Sequence, residues 1–494
     1  MKRMNVLFTH TYFLQEDPKE QKINKPYPPL GLLYLSAWLE QNGYDNEVFD
    51  ATFSNPRAQE AYILQFQPKV IAVYANLINK LNVIRLLRFI RSQRSLDDCL
   101  IVLGGPDVTY NVENYLAIGA DVLIIGEGEQ SMLEVVQAHE RGLSPHFGHI
   151  PGLAYRDEQG SIIKTVKRGH LRKIDELPIP NRHKIDLSHY LELWKKHHGK
   201  SSISISTQRG CPYTCRWCST AVYGQSYRRR SPAKVVEEMI SLKARYDFDQ
   251  IWFVDDVFTV SHKWLGAFRE ALQEKQVKIP FECITRADRL TEEVVKVLKD
   301  CGCFRVWIGA ESGSQRIIDA MDRRVKATQV QDMIIAARQE GIEAGTFIML
   351  GYPGETQEDI RQTLNHLCRA NPDWFTITVA YPIRGTSLYQ DVKEKLIDEP
   401  DWFESTDRDL DFERTYPRKY YDYAVRWVVN GVNLHKQKLQ GNTFSLLALK
   451  LWIKINLAQL IMWCYRTKQS AHGVFGKLPE TRETILPDPR KGSV

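Results

Sequence analysis

The chain has 494 residues, 43% of them hydrophobic and 26% charged, with a net charge of +6. That length exceeds what one hydrophobic core usually serves, so several domains are expected and a disordered chain is excluded. The mild charge gives no support for nucleic acid as a partner. The N-terminal Met1-Lys2-Arg3-Met4-Asn5-Val6-Leu7-Phe8 lacks the longer apolar core and cleavage site of a signal peptide, a pattern that fits a reducing cytoplasm.

Up to about Val136, short apolar runs alternate with helix-like segments: Asn5 to Thr9, Val48 to Phe49, Val70 to Tyr74, Leu100 to Leu103 and Val122 to Ile125. This alternation predicts a doubly wound, flavodoxin-like parallel sheet over residues 1–150. Ligands of such sheets sit at the carboxyl ends of the strands. Two of those ends carry glycine, in Gly104-Gly105-Pro106 and Gly126-Glu127-Gly128-Glu129. Glycine lets the backbone approach a bulky ligand or take positive φ. No G-x-G-x-x-G opens the first βα unit, so a dinucleotide site is not supported. The plain alternative is a domain of this fold kept for packing or partner contact.

Residues 151–198 carry a turn at Asp157-Glu158-Gln159-Gly160 and a Leu177-Pro178-Ile179-Pro180 segment whose prolines favour extended chain. They read as a hairpin and a linker crossing between domains.

After an alternating run, Ser202 to Ser206, comes Arg209-Gly210-Cys211-Pro212-Tyr213-Thr214-Cys215-Arg216-Trp217-Cys218, with three cysteines at C-x3-C-x2-C spacing. Three thiolates on one short loop can hold three irons of a cubane cluster and leave the fourth open, whereas structural zinc wants four ligands. This loop holds no histidine or fourth cysteine. A zinc knuckle borrowing a distant ligand, or a set of buried thiols, is the bland alternative. The other six cysteines are scattered at Cys99, Cys283, Cys301, Cys303, Cys368 and Cys464, which is not a disulfide framework. Cys301-Gly302-Cys303 reads as buried free thiols or, less simply, as part of a second metal site.

Residues 199–390 repeat the β/α alternation, with strands expected at Ser202 to Ser206, Gln250 to Val254, Phe281 to Ile284, Arg305 to Ile308, Thr346 to Leu350 and Phe375 to Val379. Six strands separated by helices suggest a partial (β/α)6 barrel with its chemistry at the strand carboxyl ends. Those ends carry Asp255-Asp256, Arg286, Glu311 and Gly351. A helix cap or a structural ion pair is the ordinary role for the aspartates and for Arg286. Arg228-Arg229-Arg230 reads as a solvated face or as an attractor for an anionic substrate.

Residues 391–494 form a mainly helical region, rich in aromatics and strongly apolar from Phe444 to Trp463. Lys450 and Lys454 would each cost about 2.5 kcal/mol or more near the centre of a spanning helix, so spanning is disfavoured. An interfacial helix, a lid over an apolar substrate and an ordinary packing helix stay open. The tail from Pro479 to Val494 reads as poorly ordered.

The C-x3-C-x2-C loop, with the aromatic Trp217 before its last cysteine, resembles the cluster loop of the radical S-adenosylmethionine (SAM) superfamily. The resemblance implies that Cys211, Cys215 and Cys218 ligate a [4Fe-4S] cluster whose open iron chelates SAM. One electron then cleaves SAM to methionine and a 5'-deoxyadenosyl radical. It also implies that the Trp217 backbone faces the adenine and that Asp255 and Asp256 meet the methionine amino group. Arg286 would neutralise the methionine carboxylate. Glu311, in Ile308-Gly309-Ala310-Glu311-Ser312-Gly313-Ser314, would contact the ribose hydroxyls. Gly351, in Leu350-Gly351-Tyr352-Pro353-Gly354-Glu355-Thr356, would lie beside the adenine.

The first domain as a whole, with Pro28-Pro29-Leu30-Gly31 opening a helix, is similar to the cobalamin-binding domain fused to one branch of that superfamily. By that resemblance Gly104, Gly105, Pro106, Gly126, Glu127 and Gly128 bind cobalamin. Cobalamin mutases of the same fold carry D-x-H-x-x-G after the first strand. Phe8-Thr9-His10-Thr11-Tyr12-Phe13 lacks the aspartate and the glycine, so His10 reads as a packed or solvated histidine rather than a cobalt ligand.

Together the resemblances imply a cobalamin-dependent radical SAM methyltransferase acting on an unactivated carbon of a small or lipid-like substrate. It would work through the deoxyadenosyl radical and methylcobalamin. The same architecture serves the anaerobic magnesium-protoporphyrin monomethyl ester cyclase, so cyclisation or rearrangement without methyl transfer stays open, and a non-catalytic corrinoid sensor is the third alternative. Methylthiotransferases need a further cysteine trio ahead of the barrel, where only Cys99 lies. The expected partners are a small, apolar substrate, an electron donor such as flavodoxin or ferredoxin, and a membrane surface met peripherally through 444–463.

Overall fold

The computed structural model describes residues 5–144, 146–219 and 222–469; the 479–494 tail lies outside them. The chain divides into two compact units. The first comprises Met1–Gly309, Met333–Gly345 and Tyr381–Phe412, and the second Ala310–Asp332, Thr346–Ala380 and Glu413–Val494.

The first unit begins with a seven-stranded sheet in the order β2-β1-β3-β4-β5-β6-β7. Its strands are β1 (Val6–His10), β2 (Asn46–Phe49), β3 (Val70–Tyr74), β4 (Leu100–Gly104), β5 (Val122–Ile124), β6 (Leu153–Arg156) and β7 (Ile162–Lys164). The first five are parallel and the last two antiparallel. Alternate side chains of β1 serve opposite faces: Leu7 packs with Ile71, Val83 and Leu87, while Val6 and Phe8 pack with Leu32, Leu33 and Met132. Helices cover both faces, which is why these strands read as continuous apolar runs. The order of the parallel strands is flavodoxin-like, with its switch point between β1 and β3.

The hairpin expected in 151–198 is an integral edge of this sheet, with Val122 opposite Tyr155 and Tyr155 opposite Ile163. The helix Leu187–His198 that follows is tied back to the same sheet, its Tyr190 hydroxyl donating to Asp50 Oδ2 at 2.7 Å. Segment 381–412 also belongs here. Trp402 completes the core under β4, its ring 5.0 Å from that of Tyr115, and the Lys80 ammonium sits 4.5 Å over the indole.

A six-stranded sheet follows, with each strand beside its predecessor in sequence. Its strands are β8 (Ser202–Ile205), β11 (Gln250–Phe253), β12 (Phe281–Thr285), β13 (Cys303–Glu311), β14 (Glu343–Leu350) and β15 (Trp374–Val379). The pairs β8–β11, β11–β12 and β12–β13 are parallel. Between β8 and β11, a two-stranded ribbon of β9 (Gln208–Arg209) and β10 (Arg228–Arg229) closes the base of the cysteine loop. Gly210 takes φ +79° there, and a Cβ on it would fall 2.4 Å from Ser226 O, so no other residue fits.

The second unit ends in two paired helices, Arg418–Leu439 and Leu446–Gln469. Among the described side chains of the last helix, the stripe Ala448, Leu451, Ala458 and Met462 is buried, and Leu446, Leu449, Trp452, Ile453, Leu457 and Leu460 are exposed.

Candidate functional site

The carboxyl ends of β3, β4 and β5 open into a cavity of about 650 Å3 within the first unit. Gly104, Gly105, Pro106, Gly126, Glu127 and Gly128 line one side, and Cys211, Cys218, Asp255 and Asp256 line another. The geometry therefore brings the glycine loops expected to hold cobalamin and two of the three cysteines to one space. Gly105 has φ +111°, and a Cβ on it would lie 2.3 Å from Ala75 O and 3.0 Å from the Tyr74 ring. Only glycine leaves this floor open to a flat, bulky ligand. Burial pushes the hydroxyls of Tyr34 and Tyr74 up to about 12, so the rings facing the cavity stay neutral.

Glu127 is spoken for: its Oε2 accepts from Leu171 N at 2.7 Å and its Oε1 pairs with Arg228. Its carboxylate is thus a frame for the loop, and only the backbone and stem are left for a ligand. His10 is buried; its Nε2 is 2.9 Å from Asp50 Oδ1, and its Nδ1 accepts from Tyr12 N at 3.1 Å. With Nδ1 accepting, Nε2 carries the proton toward Asp50, and no nitrogen lone pair is left for a cobalt.

In the cysteine loop, Cys218 N donates to Cys215 O at 3.1 Å, a turn that carries Trp217, which is half-buried. Arg286 follows β12 and is almost fully buried. Its guanidinium lies 3.8 Å over the Tyr213 ring, bonds Asp288 at 2.8 Å and reaches Cys215 Sγ at 3.6 Å. A cation so held stabilises thiolate and any further negative charge beside it. Among the described residues no three His, Cys, Asp or Glu side chains converge as a single-ion site. Thiolates that each hold a separate iron of a cubane have no need to converge on one point. Cys283, Cys301 and Cys303 are buried thiols, and burial pushes Cys301 up to about 12, well away from metal-binding thiolate character.

The two adjacent aspartates have different duties. Asp255 is 2% exposed and accepts from Thr207 N at 2.8 Å and Gln208 N at 3.1 Å, with Arg229 3.9 Å away, so it builds the loop. Asp256 is open to the cavity, and burial of the site followed by the Asp255 charge raises its pKa. Of the pair, Asp256 is the one whose carboxylate is left open to the cavity.

The Arg228-Arg229-Arg230 run is neither a solvated face nor an open anion attractor. Arg228 pairs with Glu127, Arg229 stacks 3.5 Å over Trp264 and faces Asp255, and Arg230 pairs with Glu238. Sequence reasoning also passed over Arg209 and Glu129, which form a buried bidentate pair. The available signal was an arginine one residue ahead of Gly210-Cys211, but its partner lies 80 residues away.

In the second unit, Glu311 at the end of β13 takes φ +65°, a strained conformation for a non-glycine residue, and lies 3.6 Å from Arg323. Gly351, at φ +77°, donates its N–H to Glu355 Oε2 at 2.6 Å. Glu355 is fully buried, which pushes its carboxyl up to about 8.

Residues 21–136 match the B12 binding domain and residues 205–367 the radical SAM superfamily. An uncharacterized methyltransferase of Pyrococcus horikoshii is 28% identical over 74% of this chain and 78% of its own. The anaerobic magnesium-protoporphyrin IX monomethyl ester cyclase of Rubrivivax gelatinosus is 25% identical over 80% of this chain and 71% of its own. The cobalamin-dependent SAM radical enzyme OxsB, solved with aqua-cobalamin bound, superposes with a TM-score of 0.73 at 16% identity. That superposition covers 95% of this chain and 76% of OxsB, and shares the fold. With the two domains come their cofactors: a [4Fe-4S] cluster and SAM for one, cobalamin for the other.

Proposed function

From a chain that is a radical SAM enzyme with a B12 binding domain, we propose that it transfers a methyl group to an unactivated carbon of a small, apolar substrate. The observation that carries this reading is the single cavity onto which both the glycine loops and Cys211 and Cys218 open. When bound, the cofactors supply a hydrogen-abstracting radical and a methyl donor. The chain's own residues do the rest. Cys211, Cys215 and Cys218 hold the cluster, and Arg286 and Asp256 take the carboxylate and the ammonium of SAM. The backbone of Trp217 faces the adenine. Gly104, Gly105, Pro106, Gly126 and Gly128 floor the corrinoid, and the tyrosine-lined wall keeps water from a reactive carbon.

The similarity to the cyclase favours a second reading, radical chemistry with cobalamin but without methyl transfer. The finer features of the proposal are a flavodoxin- or ferredoxin-like electron donor and a bilayer contact through 444–463. The deciding experiment is anaerobic reconstitution with iron, sulfide and hydroxocobalamin, followed by reduction with methyl-labelled SAM. Deoxyadenosine together with labelled methylcobalamin supports the methylase. Deoxyadenosine alone favours the cyclase-like reading, and a chain that retains no corrinoid overturns both.

A further inference from the structure

The ribbon at the base of the cysteine loop carries three arginines, Arg230 follows directly after it, and each of the four faces a carboxylate elsewhere in the first unit. Arg229 and Arg230 anchor the ribbon to the barrel through Asp255 and Glu238. Arg209 and Arg228 reach the other way, to the loop Gly126-Glu127-Gly128-Glu129 on the cavity floor. Arg209 grips Glu129 with both ends of its guanidinium, one at 3.1 Å, and also lies 3.9 Å from Glu127. The side chains of Arg209 and Glu129 are 7% and 8% exposed. The same guanidinium lies over the Tyr34 and Tyr223 rings, 5.5 and 5.4 Å from their centroids. Arg228 pairs with Glu127 and donates to Leu171 O at 3.1 Å and Ser226 Oγ at 3.1 Å.

The loop under the corrinoid and the loop bearing the cysteines are thus fastened by buried, hydrogen-bonded ion pairs. Such pairs are strongly geometric, because a planar guanidinium opposite a carboxylate tolerates little sliding. A buried pair of this kind is weak evidence for extra stability and better evidence for a fixed register between the parts it joins.

We propose that Arg209 and Arg228 are positioning residues that couple occupancy of the corrinoid loop to the arrangement of the cysteine loop, so that each cofactor raises the chain's affinity for the other. This inference rests on the two-cofactor reading. Because coupling is reciprocal, one binding isotherm is enough to see it.

The test is titration of the full chain with hydroxocobalamin, read by visible absorbance, with the cluster reconstituted and with it removed. Wild type should bind cobalamin about fivefold or more tightly when the cluster is present, the lower end of typical coupling. Glu129→Gln and Arg209→Lys should each bring that ratio close to one while iron content stays high. If one variant fails to fold, the other reads the same bond from the opposite side. Glu134→Gln, on the same helix as Glu129, loses an ion pair with Arg168 and should leave the ratio unchanged. A wild-type ratio of one, or an unchanged ratio in Glu129→Gln and Arg209→Lys, overturns the coupling and leaves the two-cofactor reading standing. Absence of cobalamin binding in wild type overturns that reading itself.

Discussion

Nη1 of Arg286 lies 3.6 Å from Sγ of Cys215, the cysteine that does not line the cavity. A permanent cation in that position favours the more negatively charged, reduced state of whatever the thiolate holds. Arg286→Gln should therefore lower the reduction potential of the reconstituted cluster. It should also slow deoxyadenosine formation about 10- to 100-fold, the loss expected for one charged hydrogen bond. Potentiometric titration beside a deoxyadenosine assay checks it, and an unmoved potential would argue against electrostatic contact with the cluster.

Two glycines on the cavity floor should respond differently to the same substitution. At Gly105 an added Cβ meets Ala75 O at 2.3 Å as well as a positive φ, whereas at Gly126 the nearest atom is Val222 O at 3.8 Å. Gly105→Ala should cost about 2–4 kcal/mol from overpacking and backbone strain together and abolish corrinoid retention. Gly126→Ala should cost about 1–2 kcal/mol from strain alone and keep a weakened site. Thermal unfolding and cobalamin content measured side by side rank the two.

Glu355 links stability to pH. Its carboxyl is raised from 4.5 to about 8, chiefly by burial and then by Asp359, against the pull of the Gly351 N–H. The folded chain therefore holds a proton that the unfolded chain has released. The stabilisation is complete below about pH 4.5, declines as pH rises toward about 8, and is gone above that. Glu355→Gln, which is neutral throughout, should flatten this part of the pH–Tm profile. A wild-type Tm insensitive to pH between those limits would refute the buried, protonated acid.

The exposed face of the last helix should bind bilayers lying flat. The helix is long and apolar enough to cross a membrane, but its buried stripe runs from Ala448 to Met462 along a helix whose exposed residues include Arg418, Lys419, Asp422 and Arg426. Inserting one would drag the other's charges into hydrocarbon, which is costly. Helix Leu446–Gln469 contains no acid, and Lys450 and Lys454 flank the apolar face. Flotation with vesicles containing anionic lipid should exceed that with neutral vesicles. Ile453→Glu with Leu457→Glu should reduce it about tenfold or more, because each charge opposes burial in the acyl region. Equal flotation of the double variant would remove the bilayer from consideration.

Much of the fold was legible because the inner strands of the first sheet are buried on two faces, so β3 and β4 appear as unbroken apolar runs with glycine or turn residues after them. The cysteine loop was legible because its ligands are local. What escaped were the pairings of charge. Arg228-Arg229-Arg230 looks identical in sequence whether it faces water or three buried carboxylates, since Glu127, Asp255 and Glu238 come from three separate elements. Asp255 and Asp256 are indistinguishable as letters, and only the Thr207 and Gln208 amides show which one is consumed by the backbone. The hairpin β6–β7 was visible as a hairpin, but its attachment to β5 depends on a long-range pairing that no local pattern announces.

Trp402 has one more consequence. The first unit draws a core side chain from a segment that leaves the ribosome only once all six strands of the second sheet have been made. Until then Tyr115 and Lys80 lack the indole that covers them. The corrinoid-binding half is therefore not a detachable cassette: cut out at residue 150, it would present an unfilled apolar notch beneath β4, and a protease should find the excised piece long before it finds the whole.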